Sequence, residues 1–358
     1  MTLLLSLCLS ALPASAFDHP GGITSSSRIQ AVRKNLGREP WRSAFAQLRS
    51  EALAALDYKT DAPETLRVPG YYSDAAGHTS GKKSLSDAAL AAYALALAYQ
   101  IGQDPRFADK AAAILDDWAA KNKKVQGPDG DLVLCYAGIP FLFAAELLHG
   151  YDGWDRTAFQ TWVRGVFLKS ARKLERRSNN QGAWGIFAAM AGHHLLDEKE
   201  ALLADIPRLR ARIESRIAQD GSLPLESRRT NSGMWYTYFA LAPLTSAAAI
   251  TLDATGEDLF HDTALKRGLD KLFTYCLDPG SWPHPKPGGI YGWFHNKLYP
   301  SEDRVDRPSP TDWPANLYEA MLPVYREPRW EAWLAPHRPI RGGRAWIYPT
   351  LLILLDSP

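Results

Sequence analysis

The sequence predicts an all-α fold, an incomplete (α/α) toroid or barrel of antiparallel helix hairpins with long ordered loops over a cleft. Apolar residues recur at helical spacing through most of the 358 residues, and strand-like alternation is almost absent before residue 280. The connections are short and contain Gly, Pro, Asp or Asn. Hairpins follow one another at roughly fifty residues per pair without a shared motif, which disfavours TPR-like or HEAT-like arrays and favours a closed toroid.

The N-terminal end is predicted to be a secretory signal peptide that covers residues 1–16. An apolar run from Leu3 to Leu12 precedes the small residues ASA, which are typical of cleavage after Ala16, although the run follows no Lys or Arg. The run is too short to cross a bilayer. We therefore expect a periplasmic or secreted protein that is not membrane-bound in its mature form, with residues 17–358 as a single domain.

Two helices are predicted at residues 84–102 and 104–122 from their apolar periodicity and from the residues at their ends. The first ends at the glycine of IGQDP, and the second has a proline in its first turn. Residues 277–315, rich in Pro, Gly, Trp and His, are predicted to form a long ordered loop region over one end of the barrel. The last helices are expected at 315–328 and 344–357. Between these, helices are expected at about 138–150, 156–174, 183–196, 198–217, 234–254 and 261–276.

Charge and cysteine content exclude several classes of protein. The net charge is +2 and no long Lys/Arg block is present, so a nucleic-acid partner is not expected. Beyond the signal, Cys135 and Cys276 remain, and the sequence leaves open whether they pair or are buried separately. No Cys/His spacing is typical of a zinc site. We expect a monomer without a metal or other cofactor.

Three adjacent carboxamides interrupt the helical pattern in SNNQGAWG, residues 178–185. They belong to Asn179, Asn180 and Gln181. Buried amides are costly unless they are hydrogen-bonded, so the three either tie down a turn or face a ligand rich in oxygen atoms. A helix cap is the simpler of these interpretations.

A second polar stretch, PLESRRTNSGMWYTYFALAPL, covers residues 224–244. Arg229 and Tyr236 are seven residues apart in it, which is two helical turns, so both can lie on one helix face. Asn231 or Ser232 is a candidate cap of the helix that holds Tyr236, which would place Arg229 in the preceding turn.

Together the two stretches resemble the signature of the alginate lyase superfamily of α/α-toroid polysaccharide lyases (family-5-like). SNNQGAW resembles its Asn-Asn-His segment, through Asn179, Asn180 and Trp184, and RTNSGMWYTYFAL resembles its Arg followed seven residues later by Tyr. FDHPGG, ATGEDLF and the stretch from residue 87 to 119 are similar to other parts of the family. The chain departs from the best-known members at Gln181, which stands in place of histidine and cannot act as a base.

The resemblance implies a lyase that cleaves a uronic-acid polysaccharide of the alginate, polymannuronate or glucuronan type by β-elimination, giving unsaturated uronate ends. The C5 proton is weakly acidic because the adjacent carboxylate resists a second negative charge. Arg229, Asn180 and Gln181 would neutralise that carboxylate. Tyr236 would act as base and acid; a free phenol titrates near about 10, and a nearby Arg lowers that pKa.

Further residues are predicted to bind the acidic polymer. Aromatic rings beside polar loops can stack on sugar faces, two tyrosines of VPGYYSD are candidates for a lid, and two histidines are candidates for a second acid or base. These predicted binding residues are Asn179, Trp184, Tyr71, Tyr72, His78, Lys82, Trp293 and His295.

Two other functions remain open from sequence. A glycoside hydrolase on the same toroid needs two carboxylates flanking a bond, and Asp87, Asp131 and Glu226 are available although none lies in a paired motif. A non-catalytic protein that binds acidic glycans is the other alternative, since Gln181 replaces a potential base.

Overall fold

The computed structural model describes residues 16–229, 232–283 and 307–352. Within these ranges the chain is mostly helical, and one parallel sheet of two short strands pairs β1 (Thr65–Arg67) with β2 (Lys124–Gln126). The helices in chain order are α1 Ser26–Asn35, α2 Trp41–Ala55, α3 Ala75–Gly102, α4 Pro105–Lys121, α5 Gly130–Ala137, α6 Ile139–Leu147, α7 Thr157–Trp162, α8 Leu168–Glu175, α9 Asn180–Leu195, α10 Lys199–Arg216, α11 Pro224–Ser227, α12 Gly233–Thr255, α13 Leu265–Leu277, α14 Ala315–Tyr325 and α15 Pro328–Leu334.

The helices form two layers, which confirms the predicted α/α toroid. The inner helices α6, α9 and α12 are buried along most of their length and α3 is buried mainly from Leu85 onward, and each contacts the next: α3 with α6, α6 with α9, and α9 with α12. The outer helices, among them α4, α10 and α13, bury one face and expose the other, as surface helices of globular proteins do. Hydrophobic burial of the inner layer therefore holds the ring together.

Helix α3 begins nine residues before the predicted start. Asp74 is its cap and accepts a hydrogen bond from the Gly77 backbone, so the stretch that precedes Ser84 is helical. Gly81 lies where β1 crosses the helix, and a Cβ there would come within 2.4 Å of the Arg67 carbonyl oxygen. The glycine is needed for this close approach, which brings the chain before α3 against the barrel.

Two other predicted elements differ from the structure, and one pair of strands was not predicted. A π-helical turn, Val163–Phe167, divides the helix expected at 156–174 into α7 and α8. The part of 344–357 that the structure describes is a series of turns, because Pro349 interrupts it and Gly342 donates a hydrogen bond to the Ile347 carbonyl oxygen. The β1–β2 pair was not predicted, since three-residue strands leave no periodic pattern.

An unusually apolar segment of the described residues lies inside the barrel. Gly130–Leu147 has a mean hydropathy of 1.5, which by length and composition would suit a membrane span, yet 89% of it is buried within the protein. It comprises α5 and α6, which meet at Gly138. Cys135 and Cys276 are both buried free thiols, so the interpretation as separate core residues is the one this structure shows.

The first described residues lie across the barrel and are held by a buried carboxylate of α6. Glu146 Oε1 accepts hydrogen bonds from His19 Nδ1 at 2.6 Å and from the Gly21 backbone at 2.8 Å, and His194 Nδ1 lies 3.4 Å away. Burial alone would raise the pKa of Glu146. The hydrogen bonds and charges of the two histidines outweigh burial and lower that pKa from 4.5 to about 2.

This pKa predicts the acid sensitivity of the fold. A carboxyl whose folded pKa is depressed contributes stability above its unfolded pKa, here 4.5, and the contribution is lost as pH falls toward 2. The contribution at neutral pH is on the order of 3 kcal/mol. We expect the thermal midpoint to fall between pH 4.5 and pH 2 in the native protein, and to fall much less in Glu146→Gln, as measured by circular dichroism. Equal slopes in both proteins would contradict this.

Candidate active site

The carboxamide stretch is the start of inner helix α9. Asn179 is the cap, and its side-chain oxygen accepts a hydrogen bond from the Gln181 backbone at 3.3 Å. The capping interpretation therefore holds for the oxygen of Asn179, which was predicted to bind substrate. Gln181 is half-buried in the first turn of the helix. Its amide is one helical position beyond Asn180, at the positive end of the α9 dipole.

Asn180 is fixed by a buried glutamate. Its backbone N–H donates to Glu226 Oε1 at 2.7 Å and its Nδ2 donates to Oε2 at 2.6 Å, and both residues are only 2% exposed. Burial raises the pKa of Glu226, against the hydrogen bonds from Asn180 and the charge of Arg229, which lower it. Sequence analysis assigned Asn180 to the substrate and did not identify its partner. One of the two Nδ2 protons is committed to Glu226, which sets the orientation of the amide.

Arg229 and Tyr236 meet across the start of helix α12. Arg229 follows the short helix α11, where its backbone N–H donates to the Glu226 carbonyl oxygen, and Tyr236 lies in the first turn of α12. Ser232, one of the two predicted caps, is at the N-cap position of α12, and Arg229 precedes the helix as that prediction requires, so the two residues do not share one helix face. The guanidinium carbon nevertheless lies 4.5 Å from the centroid of the Tyr236 ring. This is a cation–π distance.

The predicted lid tyrosines lie at this same place. The Tyr72 hydroxyl is 2.5 Å from the Tyr236 hydroxyl, and Tyr72 and Tyr71 are 38% and 51% exposed. Asp129 stabilises the turn that carries the two tyrosines. Its carboxylate accepts a hydrogen bond from the Tyr71 backbone and lies 3.2 Å from His78 Nδ1. His78 is buried against Tyr71. Its observed contacts support the turn, which differs from the predicted role of binding polymer.

A second guanidinium, which the sequence did not reveal, lies beside the site. The guanidinium carbon of Arg344 is 5.3 Å from the Trp235 ring and 5.4 Å from the Tyr136 ring, and its Nε has no hydrogen-bond partner in the described part of the chain. The pKa of the half-buried Lys82 is lowered, mainly by its burial and additionally by the positive charge of Arg344. Arg344 is more than a hundred residues from Tyr236 and falls in a segment predicted to be a plain helix, so no local signal pointed to it.

One predicted binding residue, Trp184, is not brought to the site. Trp184 is fully buried and packs against Tyr136, Phe187 and Phe239, so no face of its ring is open to a sugar and the prediction is corrected. Its apolar neighbours, one turn into an inner helix, are the reason. Trp293 and His295 lie outside the described residues.

Each of the three acids that the sequence offered for a hydrolase has a partner in the structure. Asp87 pairs with Lys83, Asp131 pairs with Lys173, and Glu226 is committed to Asn180. Among the described residues, the groups with metal-ligand spacing are His19 with Glu146 and His194, and His19 with His149 and Asp197. Neither group includes a residue of this site.

A helical toroid with a guanidinium, carboxamides and paired phenols at one point belongs to the class of polysaccharide lyases. The alginate lyase family model matches residues 40–282, about two thirds of the sequence, and the chain belongs to the alginate lyase family. No curated protein matches the chain.

Solved structures of the same fold are similar along their whole length. An alginate lyase from Bacteroides ovatus has a TM-score of 0.73 at 15% identity, with 95% of this chain and 100% of that chain covered. Alginate lyase A1-III from Sphingomonas species A1 has a TM-score of 0.69 at 15% identity, with coverage of 97% and 100%. A tyrosine-to-phenylalanine variant of A1-III complexed with a tetrasaccharide has a TM-score of 0.74 at 15% identity, with the same coverage. At this identity the likeness establishes the fold.

The contact between Glu226 and Asn180 predicts a positioning role for the glutamate. In Glu226→Gln one amide N–H must face the donors of Asn180, so we expect kcat to fall roughly ten- to hundredfold, the range of one charged hydrogen bond, while KM changes less. Steady-state kinetics of the folded variant measures both constants.

Glu319→Gln is the matched control for that variant. Glu319 is also fully buried but contacts Arg338 and Thr350, which belong to no part of the site. We expect a lower melting temperature and an unchanged kcat. Equal losses of kcat in the two variants would mean that Glu226 acts only on stability.

Proposed function

We propose that this lyase cleaves alginate or a closely related polyuronate by β-elimination, with Tyr236 as the group that takes and returns the proton. The observation that carries the proposal is the stack of Arg229 on the Tyr236 ring, with the Tyr72 hydroxyl at hydrogen-bond distance from the Tyr236 hydroxyl. Membership of the alginate lyase family supports the choice of substrate.

The arrangement suits the first half of the reaction, removal of the C5 proton. A positive charge beside a phenol favours its ionised form, so Arg229 makes Tyr236 a better base. The same guanidinium, with the neutral amides of Asn180 and Gln181, can bind the uronate carboxylate and stabilise the charge that develops as the proton leaves. The electron pair of the C5–H bond becomes the C4–C5 double bond.

The second half of the reaction expels the C4 oxygen, which needs a proton. Two hydroxyls lie together at the site, and either that of Tyr236, now carrying the C5 proton, or that of Tyr72 can supply it. Because Tyr72 is exposed and lies in a turn before α3, it can contact the polymer from the solvent side. Arg344 and Lys82 add positive charge for the neighbouring uronates.

The substrate is tested with a panel of mannuronate-rich and guluronate-rich alginate, glucuronan and glycosaminoglycans. Elimination creates a double bond conjugated to the carboxylate, so ultraviolet absorbance is expected to rise with alginate. A rise with glucuronan alone would overturn the substrate but not the reaction. New reducing ends without absorbance would indicate a hydrolase, and binding without either change would indicate a non-catalytic protein.

The role of Tyr236 is tested with Tyr236→Phe and the matched control Tyr238→Phe. Tyr238 lies on the same helix but is buried in the core at 2% exposure. Removal of a general acid–base group typically costs 10²–10⁴-fold, and we expect a loss of about a thousandfold for Tyr236→Phe and less than about threefold for Tyr238→Phe. Normal turnover by folded Tyr236→Phe would remove this residue from the mechanism.

A further inference from the structure

A carboxylate at the turn between α9 and α10 accepts the backbone of the chain's first described residues. Asp197 Oδ1 lies 2.8 Å from the Ala16 nitrogen, 3.2 Å from the Phe17 nitrogen and 3.3 Å from His19 Nε2. Asp197 has a φ of 56°, in the left-handed region that Asp tolerates better than most residues. The backbone conformation and the three donors together make a built site for nitrogen groups.

Phe17 is seated in this site by its side chain. It is 8% exposed, and its ring stacks on the imidazole of His194 with centroids 4.7 Å apart and planes 16° apart. Two residues on, His19 is held by Glu146 and stacks face to face on His149 at 3.7 Å. Two contacts therefore hold the Phe17 nitrogen beside Asp197: the stack of the Phe17 ring on His194, and the anchoring of His19 two residues later.

We propose that Asp197 is a binding site for the α-ammonium group of Phe17, which signal cleavage after Ala16 creates. Hydrolysis of the Ala16–Phe17 peptide bond consumes one water: the carboxylate leaves with Ala16, and the Phe17 nitrogen becomes an amine that takes up a proton. The amide donors of Ala16 and Phe17 are then replaced by a single cationic donor. Charge-assisted hydrogen bonds are roughly twice as strong as neutral ones.

The order of events follows from burial. Phe17 is buried and Ala16 is half-buried in the folded protein, so a peptidase must cut this bond before the segment docks. In an uncleaved chain the Ala16 and Phe17 nitrogens that face Asp197 are neutral amides. We therefore expect the mature chain to be more stable than its precursor, an expectation that rests on the predicted signal cleavage after Ala16.

The adjacent histidines do not require a metal ion to explain their positions. His19 Nδ1 and Glu146 Oε1 are 2.6 Å apart, a hydrogen-bond distance, and the Gly21 backbone donates to the same oxygen. Two ligands of a tetrahedral zinc ion with bonds of about 2.0 Å lie about 3.3 Å apart. The hydrogen bonds from His19 and the Gly21 backbone to Glu146 are therefore enough to hold the N-terminal segment.

The test is a double-mutant cycle that combines two N-terminal ends with two residues at position 197, in chains that all extend to residue 358. One pair of proteins begins at Phe17 and the other retains residues 10–16, and each is made with Asp197 and with Asp197→Asn. We expect the substitution to lower the melting temperature at pH 7 by at least about 2 °C more in the chain that begins at Phe17. An equal cost in both chains would overturn the proposal.

Two further measurements make the result specific. Asp258→Asn, which disturbs an unrelated carboxylate that caps His261, is expected to cost the same in both chains. Mass spectrometry of the exported protein is expected to find Phe17 as the first residue. A different first residue would overturn the proposal while lyase activity persists. If Asp197→Asn does not fold, the two chains with Asp197 are compared by chemical denaturation. A midpoint that is no higher in the chain that begins at Phe17 than in the extended chain would overturn the proposal.

Discussion

The site depends on one buried carboxyl group, that of Glu226, at the point where α11 meets the start of α9. Glu226 receives the backbone N–H and the side-chain N–H of Asn180, and three residues later the chain carries Arg229. A buried carboxylate is costly unless its oxygen atoms are hydrogen-bonded, so the start of α9 and the end of α11 are held together or both are destabilised. That constraint sets the distance between the carboxamides and the guanidinium. Both must reach the same uronate carboxylate if the polymer is to lose its C5 proton.

The toroid supplies the platform for this contact. Inner helices buried on nearly all faces are close-packed and rigid, so the first turns of α9 and α12 are well-defined positions for functional side chains. In the proposed function, further contacts to the polymer come from connections: the Tyr71–Tyr72 turn before α3, and Arg344 in the turns after α15. Function concentrated in loops around a rigid scaffold is common. Here the four contributing segments are distant in sequence and adjacent only in the folded ring.

What the sequence predicted well is what local pattern controls. Apolar periodicity located the inner helices, and the polar interruptions located the two ends that form the site. The seven-residue spacing of Arg229 and Tyr236 allowed one shared helix face, but the capping signal at Ser232 was the better guide, because α12 begins between the two residues. Trp184 was misassigned because a tryptophan one turn into an inner helix faces the core. Arg344 was missed because only tertiary packing places it on Trp235.

The glutamine at position 181 has a physical consequence for the whole cleft. A histidine there changes charge between about pH 5 and 8, so the field on the substrate carboxylate would vary with pH. With Gln181 the positive charge next to Tyr236 comes from Arg229, which remains protonated throughout that range. In the proposed function, the neutral amides of Asn180 and Gln181 then orient the substrate carboxylate through hydrogen bonds and add no charge. In the proposed reaction the cation that acidifies the C5 proton is therefore Arg229, whose charge does not change over this pH range.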